Sequence, residues 1–216
     1  VVLQVKSIFD SYVIAKVIEE GNVASNKAAN IDREVDLPSI TSKDREAINI
    51  ALELGIKNFS LSFTNNASDV VEMRKLVGEE STIISKIESI SGLLNLNAIL
   101  EFADSILIDR GDLSREVAIE KIPFLQRKII KDCVDNKTPV YVATNLLETM
   151  ILSKIPSRAE VNDVASTVMM GANGLVLAAE TAIGLYPVES VQMVKSVIRE
   201  TKNWSVEKSF MDIINS

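Results

Sequence analysis

Histidine is absent from the 216 residues, and cysteine occurs once, at Cys133. The first absence removes imidazole from metal ligation and proton transfer, so any chemistry must run on carboxylates, lysine, hydroxyls and backbone groups. The second excludes an internal disulfide and suits a reducing compartment. No apolar run approaches the roughly 20 residues that a membrane-spanning helix needs. No basic-then-apolar leader opens the chain, and there is no initiator methionine. Val1-Val2-Leu3-Gln4-Val5 begins in mid-strand, as expected of part of something longer. Excess positive charge is lacking too. The net charge of −7 argues against nucleic acid or an anionic membrane as a partner. A small anionic substrate stays compatible, because a local cluster of lysine, arginine and metal decides that.

With 47% hydrophobic and 25% charged residues, the chain has the composition of a globular protein with a substantial core. From residue 58 onward, short β-branched runs alternate with amphipathic stretches. Strands are expected at 58–63, 82–86, 105–109, 139–143 and 174–178. Helices are expected at 67–76, 92–101, 118–135, 158–170 and 187–202, after an earlier one from Ser42 to Leu54. That alternation predicts βα units and a parallel sheet. Local signals agree: Ser68-Asp69 before a helix closed by Gly78, Ser157 three residues before Glu160, and Pro187 at a first helical turn. Upstream, two β-rich stretches flank Asp10-Ser11. A polar stretch at 21–33 follows, with Asp32-Arg33-Glu34 as a solvated connector. Residues 1 to about 30 are therefore expected to be the tail of a small β domain and 31–216 the main α/β domain. Five βα units fit either a doubly wound sheet or a (β/α)8 TIM barrel. Polar groups at the ends of successive strands favour the barrel, incomplete here.

Those strand ends carry the candidate chemistry. Ser85-Lys86-Ile87-Glu88 closes one apolar run, and side chains two apart on a strand share a face. A lone Lys-x-Glu is ordinarily a surface ion pair. Arg110-Gly111-Asp112-Leu113 closes the next run, however, and would bring a second carboxylate beside the pair. One cation and two carboxylates at neighbouring strand ends suit a divalent metal with a phosphorylated or carboxylated substrate. Gly111 would let backbone amides approach an anion closely. Arg110 would contact substrate or brace the loop. Thr144-Asn145, after Val140-Tyr141-Val142-Ala143, offers a hydroxyl that either touches substrate or, as these residues alone favour, caps a helix from Leu146. Glu180-Thr181 is similarly open. Met150, Met169, Met170 and Trp204 read as packing residues, and Cys133 as an inert buried thiol.

Taken together, these segments resemble pyruvate kinase. The likeness runs through Val35-Asp36-Leu37-Pro38, Ala67-Ser68-Asp69-Val70, Ile84-Ser85-Lys86-Ile87-Glu88 and Arg110-Gly111-Asp112-Leu113. It continues through 143–150, Ser157-Arg158-Ala159-Glu160, Asp163-Val164-Ala165, and 180–187 with Gly184, Tyr186 and Pro187 in place. The resemblance implies phosphoryl transfer between phosphoenolpyruvate and ADP, giving pyruvate and ATP. It implies Glu88 and Asp112 as ligands of Mg2+ or Mn2+, and Lys86 and Thr144 as catalytic residues. Lys86, Gly111, Asp112 and Thr144 would bind substrate, supported by Arg110 and Asn145. K+ dependence and a homotetramer are implied for the full-length enzyme, with a cytoplasmic or, given a transit peptide, plastid location. The chain would begin in the lid domain and stop after the last barrel unit, leaving the isolated fragment inactive. It departs from the pattern at Asp109, where alanine is expected, and at Ser114, Asn145 and Ala179. The rival readings are a metal-dependent aldolase of the related barrel group and a non-catalytic paralogue.

Overall fold

The structure, a computed structural model, describes residues 1–23, 31 and 37–215, and the chain separates into two units, Val1–Asp36 and Leu37–Ser216. In the first unit, β1 (Val2–Ile8) and β2 (Val13–Glu19) form an antiparallel hairpin. Phe9 and Tyr12 stack at its turn with ring centroids 4.7 Å apart, and the Phe9 amide donates to the Tyr12 carbonyl. The connector Asp32-Arg33-Glu34 lies outside the described residues.

In the second unit the β-branched runs become five parallel strands: β3 (Asn58–Leu61), β4 (Thr82–Ile87), β5 (Ser105–Asp109), β6 (Val140–Ala143) and β7 (Gly174–Val176). They are hydrogen-bonded in chain order, β3-β4-β5-β6-β7, with no point at which the order reverses. A doubly wound sheet requires such a reversal, and a (β/α)8 barrel does not. The fold is α/β, five units of an incomplete TIM barrel. Helices α1 (Ser42–Glu53), α2 (Ala67–Val77), α3 (Ile90–Leu94), α4 (Leu96–Leu100), α5 (Arg110–Glu116), α6 (Ile122–Asp135), α7 (Arg158–Met169), α8 (Ala179–Ala182), α9 (Pro187–Asn203) and α10 (Phe210–Asn215) complete the unit. None of the described helices is long and apolar enough to cross a membrane.

Strand alternation sorts the side chains. Ile83, Ile87, Ile106 and Ile108 face Val70, Met73, Ile99, Ile129 and Ile130 in one buried cluster. Each such side chain contributes about 1.5–3 kcal/mol when fully buried. A second cluster joins Leu146, Leu147 and Met150 to Val164 of α7 and to Val194 and Val197 of α9.

Several boundaries differ from expectation, each for a local reason. The strand expected at 58–63 stops at Leu61, because Phe63 is left-handed at φ 48°. The helix expected at 92–101 breaks at Asn95, whose side-chain amide donates to the Asn65 carbonyl at 2.9 Å. Ser68 lies inside α2. The cap is Asn66, and the Asp69 carboxylate accepts from the Asn65 and Asn66 amides. Helix α5 was not anticipated. Of the packing residues, Met150 is fully buried, whereas Met169 and Trp204 are exposed at the ends of α7 and α9.

Cys133 on α6 is fully buried, and burial, with Asp132 beside it, pushes its thiol up to about 12. Only the thiolate is nucleophilic, so iodoacetamide at neutral pH should label Cys133 after denaturation and not before. Rapid labelling of the native chain would contradict this packing.

Glu160 closes a capping box with Ser157 at the start of α7 and accepts from the Thr149 amide at 2.6 Å. Its burial raises the carboxyl pKa, but the bonds from Thr149 and Ser157 outweigh that and hold it below the ordinary glutamate value. A depressed folded-state pKa gives stability that is complete above the unfolded value and fades as pH falls through the folded one. Glu160→Ala should therefore cost about 1–2 kcal/mol at neutral pH. In urea titrations, the gap to the parent should shrink under acidic conditions. A gap that stays constant would rule out the ionised cap.

Candidate active site

Strand register builds the site. In the parallel pair β4–β5, Lys86 lies opposite Leu107 and Ile87 opposite Ile108. Because faces alternate, Lys86 and Glu88, one residue past the strand, share a face with Leu107 and Asp109. The Lys86 ammonium lies 2.6 Å from Glu88 Oε1 and 3.5 Å from Asp109 Oδ2. Helix α5 begins immediately after β5 and carries Asp112 in its first turn. Carboxylate oxygens of Glu88, Asp109 and Asp112 all come within 4.8 Å of one another. Lys86, Glu88 and Asp112 thus meet at one corner of the sheet.

Glu88 is the costliest member. It is 1% exposed, and its Oε2 accepts a 2.6 Å bond from the Phe63 amide. The left-handed turn at Phe63 leads into that corner, so the backbone irregularity after β3 and the carboxylate after β4 go together. Oε1 has the Lys86 ammonium at 2.6 Å as an ion pair and no well-aligned hydrogen bond. Burial pushes the Glu88 carboxyl up, against the pull of Lys86 and the Phe63 amide. For Lys86, burial favours the neutral amine, yet Glu88 and Asp109 outweigh it and keep the pKa above the usual lysine value. Three carboxylates facing the Lys86 ammonium and, at Asp112, the Arg115 guanidinium 3.0 Å away leave an excess of negative charge and a set of hard oxygen donors. Mg2+ or Mn2+ fits that set.

Thr144 sits at the end of β6 with φ 69°, a strained conformation for a β-branched residue. Its hydroxyl accepts from the Gly111 amide at 2.8 Å and has Asp109 Oδ1 at 3.4 Å and the Ala143 carbonyl at 2.6 Å. No helix starts at Leu146. Residues 144–147 form bends before a 3-10 turn at Glu148–Ile151, so Thr144 ties β6 to α5 instead of capping a helix. Asn145, also left-handed, is exposed and donates to Glu148 at 2.5 Å, outside the carboxylate group.

The Gly111 amide, read from sequence as an anion receiver, is engaged by Thr144, while the Asp112 amide has only a 3.5 Å contact to Asp109 Oδ1. Arg110 is a brace. It donates to the Thr144 carbonyl at 2.6 Å, to Asp163 Oδ2 at 2.6 Å and to Gln126 at 3.3 Å, linking α5, β6, α6 and α7. Glu180 is a second brace, 1% exposed, accepting from the Leu147 and Ala178 amides at 2.9 and 2.8 Å. Gly184 packs on it so closely that a Cβ would lie 2.3 Å from the Glu180 carbonyl oxygen, which only glycine permits.

Asp109 was noticed in the sequence as an extra charge and left out of the candidate site. Its parity on β5, with Ser105 and Leu107, is the signal that places it on the Lys86 face.

Comparison with known proteins gives a consistent result. A family model described as "Pyruvate kinase, barrel domain" matches residues 1–191. A pyruvate kinase of Agrobacterium vitis is 38% identical over 201 residues, covering 93% of this chain and 42% of that protein. Pyruvate kinases of Thermococcus litoralis and Thermotoga maritima are each 36% identical, covering 94% of this chain and 44% of theirs. The chain therefore spans less than half the length of these relatives. With this extent of similarity, it belongs to the pyruvate kinase family.

Proposed function

We propose that this chain provides the metal-holding and charge-neutralising part of a site that transfers a phosphoryl group between phosphoenolpyruvate and ADP, yielding pyruvate and ATP. The observation that carries the proposal is the Lys86 ammonium held 2.6 Å from Glu88, with Asp112 in reach, at the C-terminal ends of adjacent parallel strands. Barrel enzymes work at that end of the sheet. Phosphoryl transfer depends on positioning and charge neutralisation far more than on covalent help, so a site without histidine is adequate.

Glu88 and Asp112 would hold Mg2+ or Mn2+, which when bound neutralises charge on the phosphoryl oxygens. Lys86 contributes a fixed positive charge for the transferring group and for the enolate left behind. The Asp112 amide, with only its long contact to Asp109, is better placed than the Gly111 amide to receive a substrate carboxylate. Thr144 sets a hydroxyl at the adjoining strand end, where the enolate carbon takes up its proton. A cytoplasmic setting belongs to the same proposal and agrees with the single buried thiol.

The test is a metal-dependent assay with phosphoenolpyruvate and ADP on the protein as the cell produces it. Lys86→Met should lower kcat by about 10²- to 10³-fold, with folding checked by circular dichroism. Full activity in a folded Lys86→Met variant would remove the lysine from the chemistry and favour a different enzyme or a scaffold.

A further inference from the structure

We infer that Asp109 is a third carboxylate ligand for the divalent cation, added by this chain to the Glu88 and Asp112 pair. The inference rests on the reading of this corner as a cation site and extends it to a residue standing where the family resemblance expects alanine. Three features of Asp109 support it. Strand parity aims it at the Lys86 face, and its carboxylate comes within 4.8 Å of both other acids. It is 9% exposed, so water does not solvate it freely. Its contacts are all long: 3.5 Å to Lys86, 3.4 Å to the Thr144 hydroxyl and 3.5 Å from the Asp112 amide. A carboxylate settled in a purely structural role makes charge-assisted bonds of about 2.7–2.9 Å.

Capping α5 is the plainer role for Asp109, but serine or asparagine would cap without adding a buried charge. Glu88 points to the cation independently: it is 1% exposed, and its fully buried Oε1 has the Lys86 ammonium at 2.6 Å but no aligned hydrogen bond, leaving its lone pairs poorly used. Three carboxylates against the Lys86 ammonium and the Arg115 guanidinium, 3.0 Å from Asp112, leave one negative charge, so that a bound dication finds a net attractive corner. With alanine at 109, Lys86 and Arg115 would balance Glu88 and Asp112, and that attraction would be gone. Asp109 thus tightens cation binding and reduces the positive charge offered to an anionic substrate.

Mn2+ uptake, followed by the electron paramagnetic resonance signal of the free ion, tests this without turnover. The parent, Asp109→Asn, Glu88→Gln and the surface control Asp135→Asn would be titrated as the cell produces the protein, each verified as folded by circular dichroism. Asparagine retains the cap while removing the charge, and Asp109→Ser repeats the test should the first variant misfold. The parent should take up Mn2+, Asp109→Asn should bind it about tenfold or more weakly, and Asp135→Asn should match the parent. Unchanged affinity in Asp109→Asn alongside lost binding in Glu88→Gln would overturn the inference and leave the cation site standing. Absence of Mn2+ uptake by the parent would overturn both.

Discussion

A glutamate with 1% of its surface exposed, lying against a lysine ammonium at the end of a parallel strand, is the constraint around which this unit is arranged. Taking a carboxylate out of water costs several kcal/mol even after local relaxation, and a single oblique ion pair does not recover that. The surrounding backbone responds. Phe63 adopts a left-handed conformation in the turn where its amide meets Glu88. The neighbouring strand ends directly in a helix whose first turn brings up Asp112. Such a corner carries more acid than its own cations balance, and the proposed dication would answer that excess.

The strained residues at the rim stay in place because other parts of the fold hold them. Thr144 and Asn145 both have positive φ, each costing of order 1–3 kcal/mol for a residue other than glycine. Arg110 grips the Thr144 carbonyl through two nitrogens and ties it to Asp163 on α7, while Glu180 secures the Leu147 amide from the other side. Their work is positional, and they connect rigid strand ends to the loops that carry polar groups. Conservative replacement at Arg110 is therefore not conservative in effect, since lysine cannot serve two acceptors in that planar geometry.

Much of the architecture was legible in the sequence, because alternation of β-branched runs with amphipathic stretches is a direct record of βα packing. Lys86, Glu88 and Asp112 were legible for the same reason: each ends or closely follows an apolar run. What escaped were effects of contacts distant in sequence. The break at Asn95 depends on an acceptor in the loop after β3, and the shortened β3 on the left-handed turn at Phe63. The role of Arg110 depended on Asp163 and that of Thr144 on Gly111, both tertiary partners, whereas the α2 cap was misplaced by two residues because Ser68 and Asn66 are both good local caps. Asp109 was visible as a charge, but its direction needed the β4–β5 register.

The central claim is that this corner is a binding place for a divalent ion, built from acids on two adjoining units of the barrel. Anomalous scattering from crystals equilibrated with Mn2+ addresses it directly. A single strong peak about 2.1 Å from carboxylate oxygens of Glu88 and Asp112 is the result expected for a hard ion held in octahedral geometry. Well-diffracting crystals with those side chains ordered and no peak between them, or with manganese only at surface acids, would contradict it.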